Sequence, residues 1–242
     1  SDVRKESFDR IKREKTTAVQ QLRSQFRVRG GNAYVQFIDN LLNCQLRPKD
    51  APYRAKDYEF LLFDSIDNMI DQIKRRNSED GLARLIAGFS WKWISAKDKS
   101  AMDIEIDGTR LKWNVVATDW INSEGSVNEV GCIHTTQGYD LNYAGVIFGN
   151  EVAYNKESGQ IEVRAENYHD KNGKQSIRDP AELTAYIINI YKTIMLRAIR
   201  GTYVYVCDAA LREYFAQHIP NAVEREEQVQ VIKPGKVIPF QN

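Results

Sequence analysis

Between Val130 and Gly149 the chain reads VGCIHTTQGYDLNYAGVIFG, which sets His134, Thr135, Thr136, Gln137, Gly138 and Asp140 between two apolar runs, Gly131 to Ile133 and Ala144 to Phe148. An imidazole, two hydroxyls, an amide and a carboxylate supply hydrogen-bond donors and acceptors, and a glycine permits close approach to the backbone. A surface loop with ordinary turn chemistry explains the same residues. Two other places hold groups of comparable use. Trp91 and Trp93 flank Lys92 in GFSWKW, an arrangement that suits stacking on bases and attraction to a nucleic-acid backbone; alternating large aromatics suit core packing equally. Arg197 and Arg200 fall near the end of a long helical pattern, where the helix dipole favours cations whatever the function.

The elements that must position these groups follow from hydrophobic periodicity and turn signals. Strands are expected at Tyr58 to Phe63, Arg84 to Phe89, Val130 to Ile133, Ala144 to Phe148 and Thr202 to Cys207, with helices at Tyr34 to Asn43, Ile66 to Arg76 and Ala181 to Ala198. Near-continuous apolar strands alternating with helices predict an α/β fold with a mostly parallel sheet covered on both faces. Loops leaving the C-terminal ends of such strands form the ligand crevice, so the polar residues after VGCI are expected there. Two stretches break the rhythm, at 102–118 with an Asp107-Gly108 turn and at 151–166 with a Ser158-Gly159 turn, and read as hairpin insertions. The last long helix is the best defined. Asp179 serves as its N-cap, Pro180 fits the first position, Glu182 completes a capping box, and Gly201 is expected to close the helix just after Arg197 and Arg200.

The 242 residues suit one domain, with a helical lead-in over 1–20 and an extended tail over 225–242. A net charge of +1 gives no global signature of nucleic-acid binding, so any such surface must be local. Cys44, Cys132 and Cys207 are widely spaced, against both a disulfide framework and a zinc site; no metal ligand is expected. The chain shows no signal-peptide pattern and no apolar run able to span a bilayer, so the expectation is a cytoplasmic protein without a membrane partner.

Three segments resemble motifs of superfamily 1 helicases, in the same order. IHTTQGYD is similar to motif V, which implies that His134, Thr135 and Thr136 lie toward nucleic acid while Gln137, Gly138 and Asp140 approach a nucleotide. LRSQFR, Leu22 to Arg27, resembles motif IV, implying that Gln25 and Phe26 meet the base and Arg27 a γ-phosphate. The stretch Asn189 to Asp208 resembles motif VI, implying that Arg197 is an arginine finger and Arg200 a second cation at the nucleotide; Leu196 stands where a threonine is usual. With ARLIAGFSWKW, these make Leu22 to Phe215 resemble the C-terminal half of a bacterial family of unknown function described as Schlafen group 3-like DNA/RNA helicase.

The resemblance implies the second RecA-like lobe of an ATP-dependent helicase or translocase acting on single-stranded DNA or RNA. No G-x-x-x-x-G-K-[ST] run occurs in the chain, so ATP with Mg2+ would need an N-terminal lobe to cradle the phosphates and hold the metal, and the chain is expected to be inactive alone. The alternative is a non-catalytic module that binds nucleic acid or senses a nucleotide; a nuclease ranks last, for want of a carboxylate and lysine cluster.

Overall fold

The computed structural model describes Arg10, residues 27–174 and residues 177–223. Gln25, Phe26, the lead-in apart from Arg10, and the tail lie outside the described residues.

The elements run in order as helix α1 (Gly31–Leu42), strand β1 (Glu59–Leu62), α2 (Ile66–Asp80), β2 (Ala83–Ala87), β3 (Ile104–Ile106), β4 (Thr109–Trp113), β5 (Glu129–Gly131), β6 (Leu141–Phe148), β7 (Val152–Asn155), β8 (Gln160–Val163), α3 (Lys171–Lys174), α4 (Pro180–Met195), β9 (Ala198–Val206) and α5 (Ala209–Ala216). Seven strands form one sheet in the order β1-β9-β6-β2-β5-β4-β3. Every pairing in it is parallel except the β3–β4 hairpin. The expected α/β architecture with helices on a mostly parallel sheet is therefore present.

The strand alternation of β6 shows how both faces are covered. Tyr143 lies under Arg76 of α2, whose guanidinium stands 4.7 Å from the ring centre. Two residues on, a Cβ at Gly145 would sit 2.9 Å from Ile73 of α2 and 2.8 Å from Leu85, so only glycine lets that helix close on the sheet. Phe148 points to the other face, where its ring stacks on Tyr191 of α4 at 4.1 Å and meets Phe215 of α5 edge-on at 5.1 Å. Ile66, Met69, Ile70 and Ile73 make the buried stripe of α2, which Ser65 caps by accepting from the Asn68 amide.

Both hairpins form, with different roles. Asp107 and Gly108 take the two positive-φ positions of the first turn (50° and 86°). Its second strand, β4, then pairs in parallel with β5, so this hairpin completes the edge of the main sheet instead of standing off it. The second hairpin is a separate two-stranded unit, β7 and β8.

The final helix departs from expectation. Asp179 caps it by accepting from the Ala181 amide at 2.9 Å, but it ends at Met195, with Leu196 as its last cap. Arg197 lies in the short link to β9, while Arg200 and Gly201 lie inside the strand. Gly201 is thus no helix terminator: a Cβ there would fall 2.8 Å from the Glu59 carbonyl and 2.9 Å from Tyr143, and the residue is small because strands crowd it on both sides.

Candidate functional site

The site residues gather at two opposite ends of the sheet, and one loop joins the ends. Where strands β6 and β9 begin, Asp140 directly precedes β6, Arg197 directly precedes β9, and the Leu141 amide donates to the Arg197 carbonyl at 3.2 Å. The segment carrying Arg27 runs beside them, tied by the Arg29 amide to the Ile199 carbonyl at 2.9 Å. Arg27 Nε stands 2.5 Å from Asp140 Oδ1, with both side chains about half exposed (46% and 48%). Three residues from separate segments, spaced by 113 and 57 positions in the chain, thereby meet at one place.

Arg197 is the anomalous member. It is 9% exposed, and its Nε has no hydrogen-bond partner among the described residues. Burial lowers its pKa from the ordinary arginine value, the positive charge of Arg27 adds to that shift, and Asp140 opposes it. A guanidinium stays protonated under such a shift, so a buried cation is held near a second cation and the carboxylate paired with it. Exposed ion pairs contribute about 0–1 kcal/mol, and the Arg27–Asp140 pair can therefore exchange partners at little cost. An anion with several acceptor oxygens would satisfy both guanidinium groups.

Arg200 does not join them. It pairs with Asp80 at the end of α2, beside a network in which Arg76 contacts Glu59 at 2.6 Å and the Tyr203 hydroxyl at 3.0 Å. The structure thus places Arg200 in the bracing of the strand starts rather than with the other candidate nucleotide contacts. Gln137 and Gly138 are exposed, with Gly138 at φ 87°.

At the end where the strands finish, the rings form a continuous string. His134 lies 5.7 Å from Phe89, Phe89 lies 5.6 Å from Trp113, and Trp91 and Trp93 lie 6.5 and 6.3 Å from the same Trp113. Trp113 is fully buried while Trp93 is 38% exposed and Trp91 half-buried, so one tryptophan forms the base on which two others present surface. Core packing therefore accounts for the tryptophan pair only in part: Trp91 packs against the core and Trp93 is exposed. His134 Nε2 stands 3.4 Å from Asp170 Oδ2, with the imidazole largely exposed and the carboxylate buried. Trp113 and Asp170 escaped the sequence reading; the end of an apolar strand at KWN was the available signal for the first, and Asp170 had none.

The two hydroxyls after His134 turn inward. Thr135 Oγ1 accepts from the Cys132 amide at 3.0 Å, and Thr136, with no exposed surface, donates to the Cys132 carbonyl at 3.0 Å. As folded, both shape the loop and Thr136 offers no nucleic-acid contact, a correction to the expectation that they face a strand. The expected location is also half right: the loop starts at the finishing end of β5, beside Phe89, but delivers Asp140 to the starting end of β6. It crosses the depth of the sheet.

Among the described residues no cluster of three or more His, Cys, Asp and Glu could hold a metal ion, and no helix is long and apolar enough to cross a membrane.

Residues 2–208 match the family described as Schlafen group 3, DNA/RNA helicase domain. An uncharacterized protein of Saccharomyces cerevisiae, YPL245W, is 29% identical over 213 residues, covering 79% of this chain and 46% of its own length. The chain thus spans about half the length of that curated relative. A crystal structure of the C-terminal domain of a possible DNA helicase from Lactobacillus plantarum WCFS1 covers 81% of this chain and 99% of its own, at 14% identity and a TM-score of 0.33, a likeness too loose to bear on fold or function.

Proposed function

The chain belongs to the Schlafen group 3 DNA/RNA helicase domain family, and from that membership we propose that it is the second, RecA-like lobe of an ATP-dependent helicase or translocase. The observation that carries the reading is the convergence of Arg27, Asp140 and the buried, incompletely partnered Arg197 where β6 and β9 begin. Two guanidinium groups suit a triphosphate, and the carboxylate paired with one of them suits a ribose hydroxyl. Arg197 then acts as the finger that neutralises charge on the transferring phosphoryl group, while Arg27 leaves Asp140 for the γ-phosphate and frees that carboxylate for the sugar. Gln25 and Phe26 meet the base, with Gln137 and Gly138 beside the nucleotide. The phosphates and Mg2+ are held by a first lobe that carries the P-loop.

The string His134, Phe89, Trp113, Trp91 and Trp93 supports the other half of the proposal, a path for single-stranded DNA or RNA at the opposite end. The loop from Cys132 to Asp140 touches both ends, which makes it the element able to couple nucleotide state to grip on the strand. A second reading, a non-catalytic module that binds nucleic acid or senses nucleotide, is favoured by the pairing of Arg27 with Asp140, which satisfies both groups without a nucleotide.

ATP turnover by a protein joining this chain to its upstream lobe separates the two. The expected result is turnover that rises when single-stranded DNA or RNA is added. Turnover that is absent, or indifferent to the strand, establishes the binding module instead.

A further inference from the structure

Beside the aromatic string, the end of β4 holds a cavity of ≈ 340 Å³ lined by Trp93, Ser95, Lys99, Lys112, Asn114 and Val115. Its walls are of two kinds. Trp93, 38% exposed, offers a flat ring, and Val115, 54% exposed, adds apolar surface. Asn114 is 1% exposed; its Nδ2 donates to the Val116 carbonyl at 3.0 Å, whereas its Oδ1 is buried without a partner among the described residues. That carbonyl fixes which way the amide faces, because the reversed amide would set two oxygens together. Nor can the residue withdraw, since its backbone amide donates to Val130 in the sheet at 2.9 Å.

A buried acceptor left unmatched costs about 1–3 kcal/mol, so an orphan on a residue that lines an open cavity points to a donor supplied from outside. Ser95, the other buried polar residue of the lining, is matched through Asp103. Asp103 accepts from the Ser95 amide at 2.7 Å, the Ser95 hydroxyl at 2.6 Å and the Trp113 amide at 2.9 Å. Lys99 and Lys112 line the cavity with no carboxylate among its lining residues, and Lys112 Nζ is anchored on the Lys99 carbonyl at 2.7 Å. Asp98, whose carboxylate senses Lys112, is engaged by the amide and hydroxyl of Ser100 at 2.9 and 2.6 Å.

A flat aromatic wall, an unmatched acceptor and two ammonium groups complement a nucleobase with its phosphate. We propose that this cavity takes one unstacked base of single-stranded nucleic acid, its face on Trp93, an amino or imino N–H on Asn114 Oδ1, and a flanking phosphate on Lys99 and Lys112. The site is a base pocket at the side of the strand path, and it rests on the reading that this end of the sheet carries a strand. The occupant is a strand rather than a free nucleotide because Ile94 (51%) and Val116 (39%), exposed and next in the chain to lining residues Trp93 and Val115, offer further apolar surface to neighbouring bases.

The test is the affinity of the chain for a fluorescent single-stranded oligonucleotide and for a copy with abasic sites through its centre. Stacking of one base predicts roughly tenfold to a hundredfold weaker binding of the abasic copy. Trp93→Ala and Asn114→Leu should each bring the two affinities within about twofold; Trp93→Ala, at a partly exposed position, keeps the test valid if the second variant does not fold. A wild-type preference that survives Trp93→Ala overturns the pocket and leaves the strand path standing. Failure of the wild type to bind either strand overturns both. Displacement of the oligonucleotide by a mononucleotide of equal affinity makes the cavity a nucleotide site and overturns the proposal.

Discussion

Arg197→Ala, in a protein that joins this chain to a P-loop lobe, should lower strand-stimulated ATP turnover about 10³- to 10⁵-fold, the range that an arginine finger commands. That loss equals about 4–7 kcal/mol of transition-state stabilisation. Stability should respond differently. Arg197 is a buried cation whose Nε lacks a partner and whose pKa is lowered by burial and by Arg27. Removing such a charge relieves a desolvation cost, so the variant should unfold at the temperature of the wild type or above it. Arg197→Lys keeps the charge but loses the planar fork and should remain severely impaired. Turnover within tenfold of wild type in Arg197→Ala would remove the arginine from the chemistry.

Trp113→Ala carries the largest expected effect on the fold. The side chain is fully buried and contacts Phe89, Trp91 and Trp93; truncating such a residue costs about 3–5 kcal/mol, a large part of the roughly 5–15 kcal/mol that holds a domain folded. Urea unfolding should show a correspondingly lower midpoint with an unchanged slope. Because both presented tryptophans rest on it, single-strand affinity should fall as well, even under conditions where the variant stays folded. Trp113→Phe keeps an aromatic base and should lie between the two. A Trp113→Ala protein of wild-type stability would contradict the packing described for this end of the sheet.

Much of the framework was legible because strands buried on both faces advertise themselves. TYVYVC, AGVIF and RLIAGF are apolar at nearly every position; AGVIF falls within β6, and TYVYVC and RLIAGF, for all but their ends, within β9 and β2. The end of α4 was not legible, because its apolar spacing runs on through Ala198. What stops the helix comes from elsewhere in the chain: the Tyr34 hydroxyl donates to the Met195 carbonyl at 3.2 Å and the Thr202 hydroxyl at 3.0 Å. Those partners occupy the carbonyl and set the turn into β9, moving Arg197 out of the helix and Arg200 into the strand.

The site was legible by type more than by direction. Residues with the right chemistry were visible in the loop after β5, but nothing local says that Thr136 turns inward to Cys132 or that the loop crosses the sheet. Arg27, Asp140 and Arg197 could be brought together only by the order of strands, which sets β6 beside β9 and the segment of Arg27 along the start of β9. Asn114 was invisible for a related reason: an orphan acceptor is defined by the partners that surround it, and one residue type in a sequence carries no record of them.

The proposed coupling runs from nucleotide at one end of the sheet to a strand gripped at the other, through the loop from Cys132 to Asp140. Its most direct test is single-strand affinity of the two-lobe protein with and without a non-hydrolysable ATP analogue, beside Asp140→Ala. A coupling free energy of about 1–3 kcal/mol would change affinity about 5- to 150-fold on adding the analogue, and Asp140→Ala should abolish most of that change. Affinity that stays the same with and without nucleotide in the unaltered protein would show that the two ends of the sheet are uncoupled.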